Sequence, residues 1–222
     1  MAAKTDYRKE MEKTIEELGG RRPGLCLHAC CAPCSSHCLE VLAPYFDICV
    51  FYYNPNITER AEYEHRVSEE RRLLKELGAD LGMSFSFAEG AYEPESFIEL
   101  SRGLESCPEG GERCRKCFEL RLDVAAGFAA SRNFEYFTTT LTISPLKDAQ
   151  LLNELGLAAG ERYGVKYLTS DFKKKEGAKR SIELSKKYGL YRQDYCGCAF
   201  SKAEREKQKK EKDHETISGS AE

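Results

Sequence analysis

Short apolar runs alternate along this chain with longer stretches in which apolar residues return every three or four positions. Asp6 to Leu18 is of the second kind: Tyr7, Met11, Ile15 and Leu18 share one helical face, and Gly19-Gly20 stops it. Leu25 to Ala29 is a short apolar strand running straight into Cys30-Cys31-Ala32-Pro33-Cys34. Ser35 or Ser36 can cap a helix over His37 to Leu42, which Pro44 ends. Phe46 to Tyr53, rich in β-branched and aromatic residues, is the next strand, closing in the turn Asn54-Pro55-Asn56.

Glu59 to Leu77 carries Tyr63, Val67, Leu74 and Leu77 on one stripe and reads as a long helix. Met83 to Ala88 alternates as a third strand, and Pro94 opens a helix holding Phe97, Ile98 and Leu100. Ser106 to Lys116 is irregular and glycine-bearing until Cys117 enters a helix ending near Ala130. Phe134 to Leu141 is a strand, Ser144-Pro145 starts a helix to Leu157, and Val165 to Thr169 is the last strand. A basic helix, Ala178 to Tyr188, leads to Tyr195-Cys196-Gly197-Cys198.

Strands alternating with helices predict an α/β fold, a parallel sheet with helices on both faces. Ligands in such folds bind beyond the carboxyl ends of the strands, where the Cys30 loop and the Asn54 turn both fall. With 222 residues and no long linker, the expectation is one α/β domain over 1–200, with a cysteine-bearing loop at 104–117. A charged tail follows over 201–222, and its last fifteen or so residues are too poor in apolar content to expect order.

Hydrophobic residues are 41% of the chain, enough for a full core without disulfides. No run approaches the roughly 18 apolar residues of a membrane span, and the charged start MAAKTDYRKEMEKTIEEL lacks the apolar centre of a secretory signal. A cytoplasmic protein without membrane contact is the expectation. Net charge is −3 but uneven: from Lys173 to Lys212 there are 14 lysines and arginines against 6 acids. Such a surplus marks either a nucleic-acid contact or a solvated helix face.

Eleven cysteines in a reducing compartment, an odd number, argue against a disulfide framework. Cys26 and Cys49 lie in apolar strands and fit the core. Cys30, Cys31 and Cys34 form a thiolate-rich loop of the kind soft metals select. Cys114 and Cys117, a C-x-x-C unit at a helix start, can hold a metal with Cys30 and Cys31, as an iron–sulfur cluster or as structural zinc. Spacing does not separate the two. Cys196-Gly197-Cys198 suits a dithiol–disulfide shuttle or two further ligands. His28, Asn54, Asn56, Thr138 to Thr140, Ser144, Tyr52 and Tyr53 are weaker candidates that turns, caps and packing explain as well. Asp171 is a candidate acid.

LHACCAPCSSHCLEVL, FYYNPNI, RCRKCFELRL, FTTTLTISP, YLTSDFKKKEG and YCGCAFS together resemble the epoxyqueuosine reductases of the QueH family, from about Leu25 to Ser201. The resemblance implies reduction of the epoxide of epoxyqueuosine in tRNA to queuosine, the last step of queuosine biosynthesis. It implies a 4Fe-4S cluster on Cys30, Cys31, Cys114 and Cys117, and a redox-active disulfide at Cys196 and Cys198. It also implies a sheet of the HUP or Rossmann-like kind. The phosphate loop SGGxDS of the PP-loop ATPases is missing, so ATP use is not implied.

Chemically, removing an epoxide oxygen as water takes two electrons and two protons. A cluster passes single electrons and a dithiol stores two, so the pair matches one supply to the other. Cys34 is expected as an extra ligand or part of an additional mononuclear metal site. The basic stretch from Lys173 is expected to meet tRNA phosphates, with a splayed anticodon-loop base entering the pocket. An unidentified electron donor is required. The competing classes are a zinc-stabilised tRNA-binding protein and a thiol-based tRNA-modifying enzyme, neither of which carries a redox cluster.

Overall fold

The computed structural model describes residues 4–218, with side chains described to residue 211. Helix α1 (Tyr7–Glu17) precedes β1 (Gly24–Ala29), α2 (Ala32–Leu42), β2 (Asp47–Tyr52), α3 (Arg60–Leu81), β3 (Ser86–Glu89) and α4 (Pro94–Leu100). Then come α5 (Glu112–Ser131), β4 (Tyr136–Thr139), a 3-10 turn (Thr140–Ile143), α6 (Ala149–Tyr163), β5 (Lys166–Tyr167), α7 (Gly177–Lys187) and α8 (Ala199–Ser218).

The five strands are all parallel, in the order β3-β2-β1-β4-β5. The order reverses at β1, as in doubly wound nucleotide-binding folds, and the crevice at that reversal is where such sheets bind ligands. β1 is buried on both faces, so it reads as an unbroken apolar run rather than an alternation. One apolar layer joins β1 and β2 to α1, α2 and α3 through Leu25, Leu27, Val50 and Leu73. The other packs α5 and α6 on the opposite face through Cys26, Phe51, Leu122 and Phe137. Cys26 and Cys49 are core residues, as expected.

Three helix starts differ from the sequence reading by several residues. Helix α2 starts at Ala32 with Cys31 as its N-cap residue, because Pro33 is pre-set for a first helical turn, so Ser35 and Ser36 lie inside the helix. Their hydroxyls back-bond to the carbonyls of Cys31 and Pro33 instead of capping. Helix α5 likewise starts early, at Glu112, and places Cys114 within its first turn. Helix α6 is capped by Asp148, whose carboxylate accepts from the amides of Gln150 and Leu151, and not by Ser144. The charged tail, for which no order was expected, continues as α8 through Ser218, and the residues after it lie outside those described.

Candidate active site

Cys30 leaves β1 at its carboxyl end and Cys31 turns the chain into α2. Amide groups of Cys34 and Ser35 both donate to the Cys31 carbonyl, closing the first helical turn. That turn lifts Cys34 beside the other two thiols, and the sulfurs of Cys30, Cys31 and Cys34 all lie within 4.8 Å of one another. Thr140, at the end of β4, ties the loop down: its hydroxyl accepts from the Cys30 amide and donates to the Cys30 sulfur at 3.4 Å. These thiols line a cleft of about 310 Å³ shared by the ends of β1 and β4, α7 and the Tyr195 segment.

A second cleft, of about 120 Å³, adjoins it and is lined by Cys114, Cys117, Cys196 and Cys198. Helix α5 supplies the first two, a turn apart on one face. The Cys196–Cys198 turn is held from the β2 side, where Asn56 and Arg66 donate to the Cys196 carbonyl. Gly197 sits at φ +110°, and a Cβ there would come within 2.8 Å of Ile57 Cγ1 and 3.1 Å of Arg66 Nη1. Only glycine lets the turn lie this close to α3. The two thiols are free, their sulfurs 3.5 Å apart.

Cys196, Arg121, Lys147 and Glu109 line both clefts, so the thiols of three distant segments meet around one pair of cations. Seven of the eleven cysteines are accounted for in this way. Arg121 is buried and donates to Asn54, whose own amide donates to the Ala29 carbonyl at the end of β1. Neither Arg121 nor Lys147 was singled out in the sequence. Arg121 carried a signal: it stands four residues after Cys117 in a helix and therefore on the same face.

The charges set the thiols apart. Cys30 is held well below the ordinary thiol range by hydrogen bonds from Cys31 and Cys34, against burial, with Lys147 and Arg121 assisting. The donors move the other way: Cys31 rises to about 12 and Cys34 well above the usual range. Cys196 drops to about 6, chiefly because Cys198 donates to it and despite burial, with Lys147 again helping, while Cys198 is raised by the same bond. Burial pushes Cys117 up to about 11 and also raises Cys114. Burial would lower Lys147, but the negative charge of the Cys30 and Cys196 thiolates, with the Cys34 sulfur beside them, outweighs it and keeps the ammonium charged.

The remaining candidates fall elsewhere. His28 is buried with both ring nitrogens engaged: Nε2–H donates to the Tyr53 carbonyl at 3.0 Å, so Nδ1 accepts from the Thr139 hydroxyl at 2.8 Å. Burial lowers its pKa to about 3, and it is a neutral strut between strands. Thr138 donates to the Leu168 carbonyl, and Tyr52 and Tyr53 are buried in the core. Asp171 is buried beside Lys173 at 3.2 Å and lines neither cleft. Lys173, Lys174 and Lys175 end on Asp171, Asp6 and Glu12 respectively, so this basic stretch is a face of ion pairs, not a bare cationic stripe.

The chain is a doubly wound α/β protein whose switch-point crevice is lined with soft thiols, a donor set able to hold a metal ion. The model of the family described as epoxyqueuosine reductase QueH matches residues 25–204, and the chain belongs to that family. It is 44% identical over 202 residues to the epoxyqueuosine reductase QueH of Staphylococcus epidermidis, covering 89% of this chain and 85% of that protein. The Streptococcus pyogenes protein of the same name is 42% identical over 200 residues, covering 89% and 78%. Among solved structures, an NH3-dependent NAD synthetase from Campylobacter jejuni aligns with a TM-score of 0.40 and 15% identity, over 84% of this chain and 75% of that one.

Proposed function

We propose that this protein reduces the epoxide of epoxyqueuosine in tRNA to the alkene of queuosine. The observation that carries the reading is the convergence of seven cysteines from three segments on adjoining clefts around Lys147 and Arg121. Family membership supplies the substrate class. The setting is the cytoplasm, where eleven free thiols stay reduced.

Cys30, Cys31, Cys114 and Cys117 would hold a 4Fe-4S cluster. The donor set fits such a group: four soft sulfurs lining two adjoining clefts, with buried Arg121 and half-buried Lys147 to balance the negative charge thiolates bring. A bound cluster supplies electrons singly from an external donor. The Cys196–Cys198 dithiol stores two, and its oxidation to a disulfide releases two electrons and two protons. The epoxide consumes two of each and loses its oxygen as water, so the exchange balances. Cys196 is the sulfur poised to ionise, at about 6, and Cys198 retains the proton. Lys147 holds its proton at Nζ between the thiols, where it can be passed to a leaving oxygen; Asp171 lines neither cleft. The close set of Cys30, Cys31 and Cys34 also supports an additional mononuclear metal that uses Cys34.

Protein purified without oxygen, given dithionite and tRNA bearing epoxyqueuosine, should yield queuosine by mass spectrometry of the digested tRNA. Serine at Cys30, Cys31, Cys114 or Cys117 should sharply cut iron content and the broad visible absorption. Cys196→Ser and Cys198→Ser should retain both and abolish turnover. Full iron and colour in any two of the first four variants would overturn the ligand set. A colourless zinc protein would favour the tRNA-binding class instead.

A further inference from the structure

Two of the large apolar side chains left exposed among the described residues line the larger cleft. Leu146, in the loop after β4, is 62% exposed, and Ile182, on α7, is 43% exposed. They come from two different elements and line the same chamber as Cys30, Cys34 and Cys196. Exposed leucine and isoleucine scattered singly need no explanation, but two flanking one opening over reactive thiols do. The cleft, at about 310 Å³, is of the size that takes a small molecule such as a nucleoside.

Arg192 also lines this cleft. It is exposed, and its only hydrogen-bond partner among the described residues is the Ser185 hydroxyl, at 3.1 Å, with no carboxylate paired to it. The neighbouring Lys173, Lys174 and Lys175 are all ion-paired. An unpaired guanidinium beside an apolar opening is complementary to a nucleotide, with a flat base to bury and a phosphate to meet.

We infer that Leu146 and Ile182 are an apolar clamp for the base of the target nucleotide, and that Arg192 receives its flanking phosphate. The inference rests on the reductase reading and deepens it, because it names the residues that position the substrate. These are positioning residues: they bury the base faces and hold the nucleotide in the cleft without touching the bond that breaks. Apolar side chains suit this task, since every base presents a face that gains from leaving water.

The test uses whole, anaerobically purified protein with dithionite as reductant, so that no donor protein takes part. Two substrates are compared: tRNA bearing epoxyqueuosine, and the free epoxyqueuosine nucleoside, which has no phosphate. Leu146→Ala combined with Ile182→Ala should raise KM for both by about tenfold, from roughly 1–2 kcal/mol of lost apolar burial, and leave kcat within about twofold. Leu146→Met should restore most of the affinity. Arg192→Ala should raise KM for tRNA and flatten its salt dependence by about one phosphate contact, and leave the nucleoside unaffected. All three side chains lie at the surface, and unchanged iron content and visible absorption will verify intact protein. Unchanged KM in the double variant overturns the clamp, and so does a fall in kcat at constant KM. Equal effects of Arg192→Ala on tRNA and nucleoside overturn the phosphate contact. Absence of wild-type turnover on tRNA overturns the reductase reading, and the clamp with it. Wild-type turnover combined with indifferent variants overturns the clamp alone.

Discussion

At the scale of single residues the site works by unequal sharing of protons among neighbouring sulfurs. Cys196 ionises near 6 because Cys198 donates to it and Lys147 lies close, so it is largely thiolate at neutral pH. In reduced, metal-free protein, iodoacetamide should label Cys196 with a rate that rises through about pH 6 and is flat above pH 7. Lys147→Gln removes a cation that favours the thiolate, which moves the midpoint upward by roughly one unit. A midpoint that stays put would show that Cys198 alone sets it. Gly197→Ala forces a side chain into φ +110° and against Ile57 and Arg66. Thermal unfolding should show a loss of roughly 1–3 kcal/mol, and Cys196 labelling at pH 7 should slow as the turn moves. Equal stability and labelling would mean that the turn gives way without cost.

At the scale of elements, α3 carries a feature that its amphipathic pattern concealed. Glu70 stands one turn after Arg66 on the buried face, and neither of its carboxylate oxygens has a hydrogen-bond partner among the described residues. Burial, with the Cys30 thiolate adding to it and Ser35 opposing, raises its pKa to about 8 from an ordinary 4.5. The folded protein therefore keeps a proton that the unfolded chain releases, and stability falls as pH rises from about 4.5 to about 8. Below that window the contribution is fully present. Glu70→Gln removes the fall, so urea unfolding at pH 5 and pH 8 should differ less in the variant, by on the order of 5 kcal/mol at most. A wild-type-like pH dependence in the variant would show that Glu70 ionises in the fold as it does in water.

At the scale of the whole molecule, the excess of positive charge in the last part of the chain is offset by acids from the first. Asp6 and Glu12 of the N-terminal segment meet Lys174 and Lys175, Glu40 meets Arg180, and Asp80 meets Lys187. Replacing Lys173, Lys174 and Lys175 together by alanine removes three cations and frees three carboxylates. The salt dependence of tRNA binding should therefore change less than it does with Arg192→Ala alone. A larger change in the triple variant would show that the ion pairs open to phosphate and that the basic stretch is the main contact.

The order of strands and helices and the class of fold were legible in the chain, because period-2 and period-3.6 patterns are local and each apolar run is long enough to read. The cysteine motifs were legible too, since thiols so closely spaced serve no packing purpose. Helix starts at Ala32 and Glu112 were each misplaced by five residues: Ser35 and Ser36 offered a competing cap for the first, and the glycine-bearing run before Cys117 read as loop in the second. What only the tertiary structure decided is which distant groups meet. Cys196 faces both thiol clefts, Lys147 and Arg121 stand between them, Glu70 is sealed beneath, and the lysines after Asp171 are paired while Arg192 is not. Sequence patterning reports which face of an element turns inward. Which element it meets there, and so every pKa and every ion pair across the fold, is set by the parallel crossovers that return each strand end to one crevice.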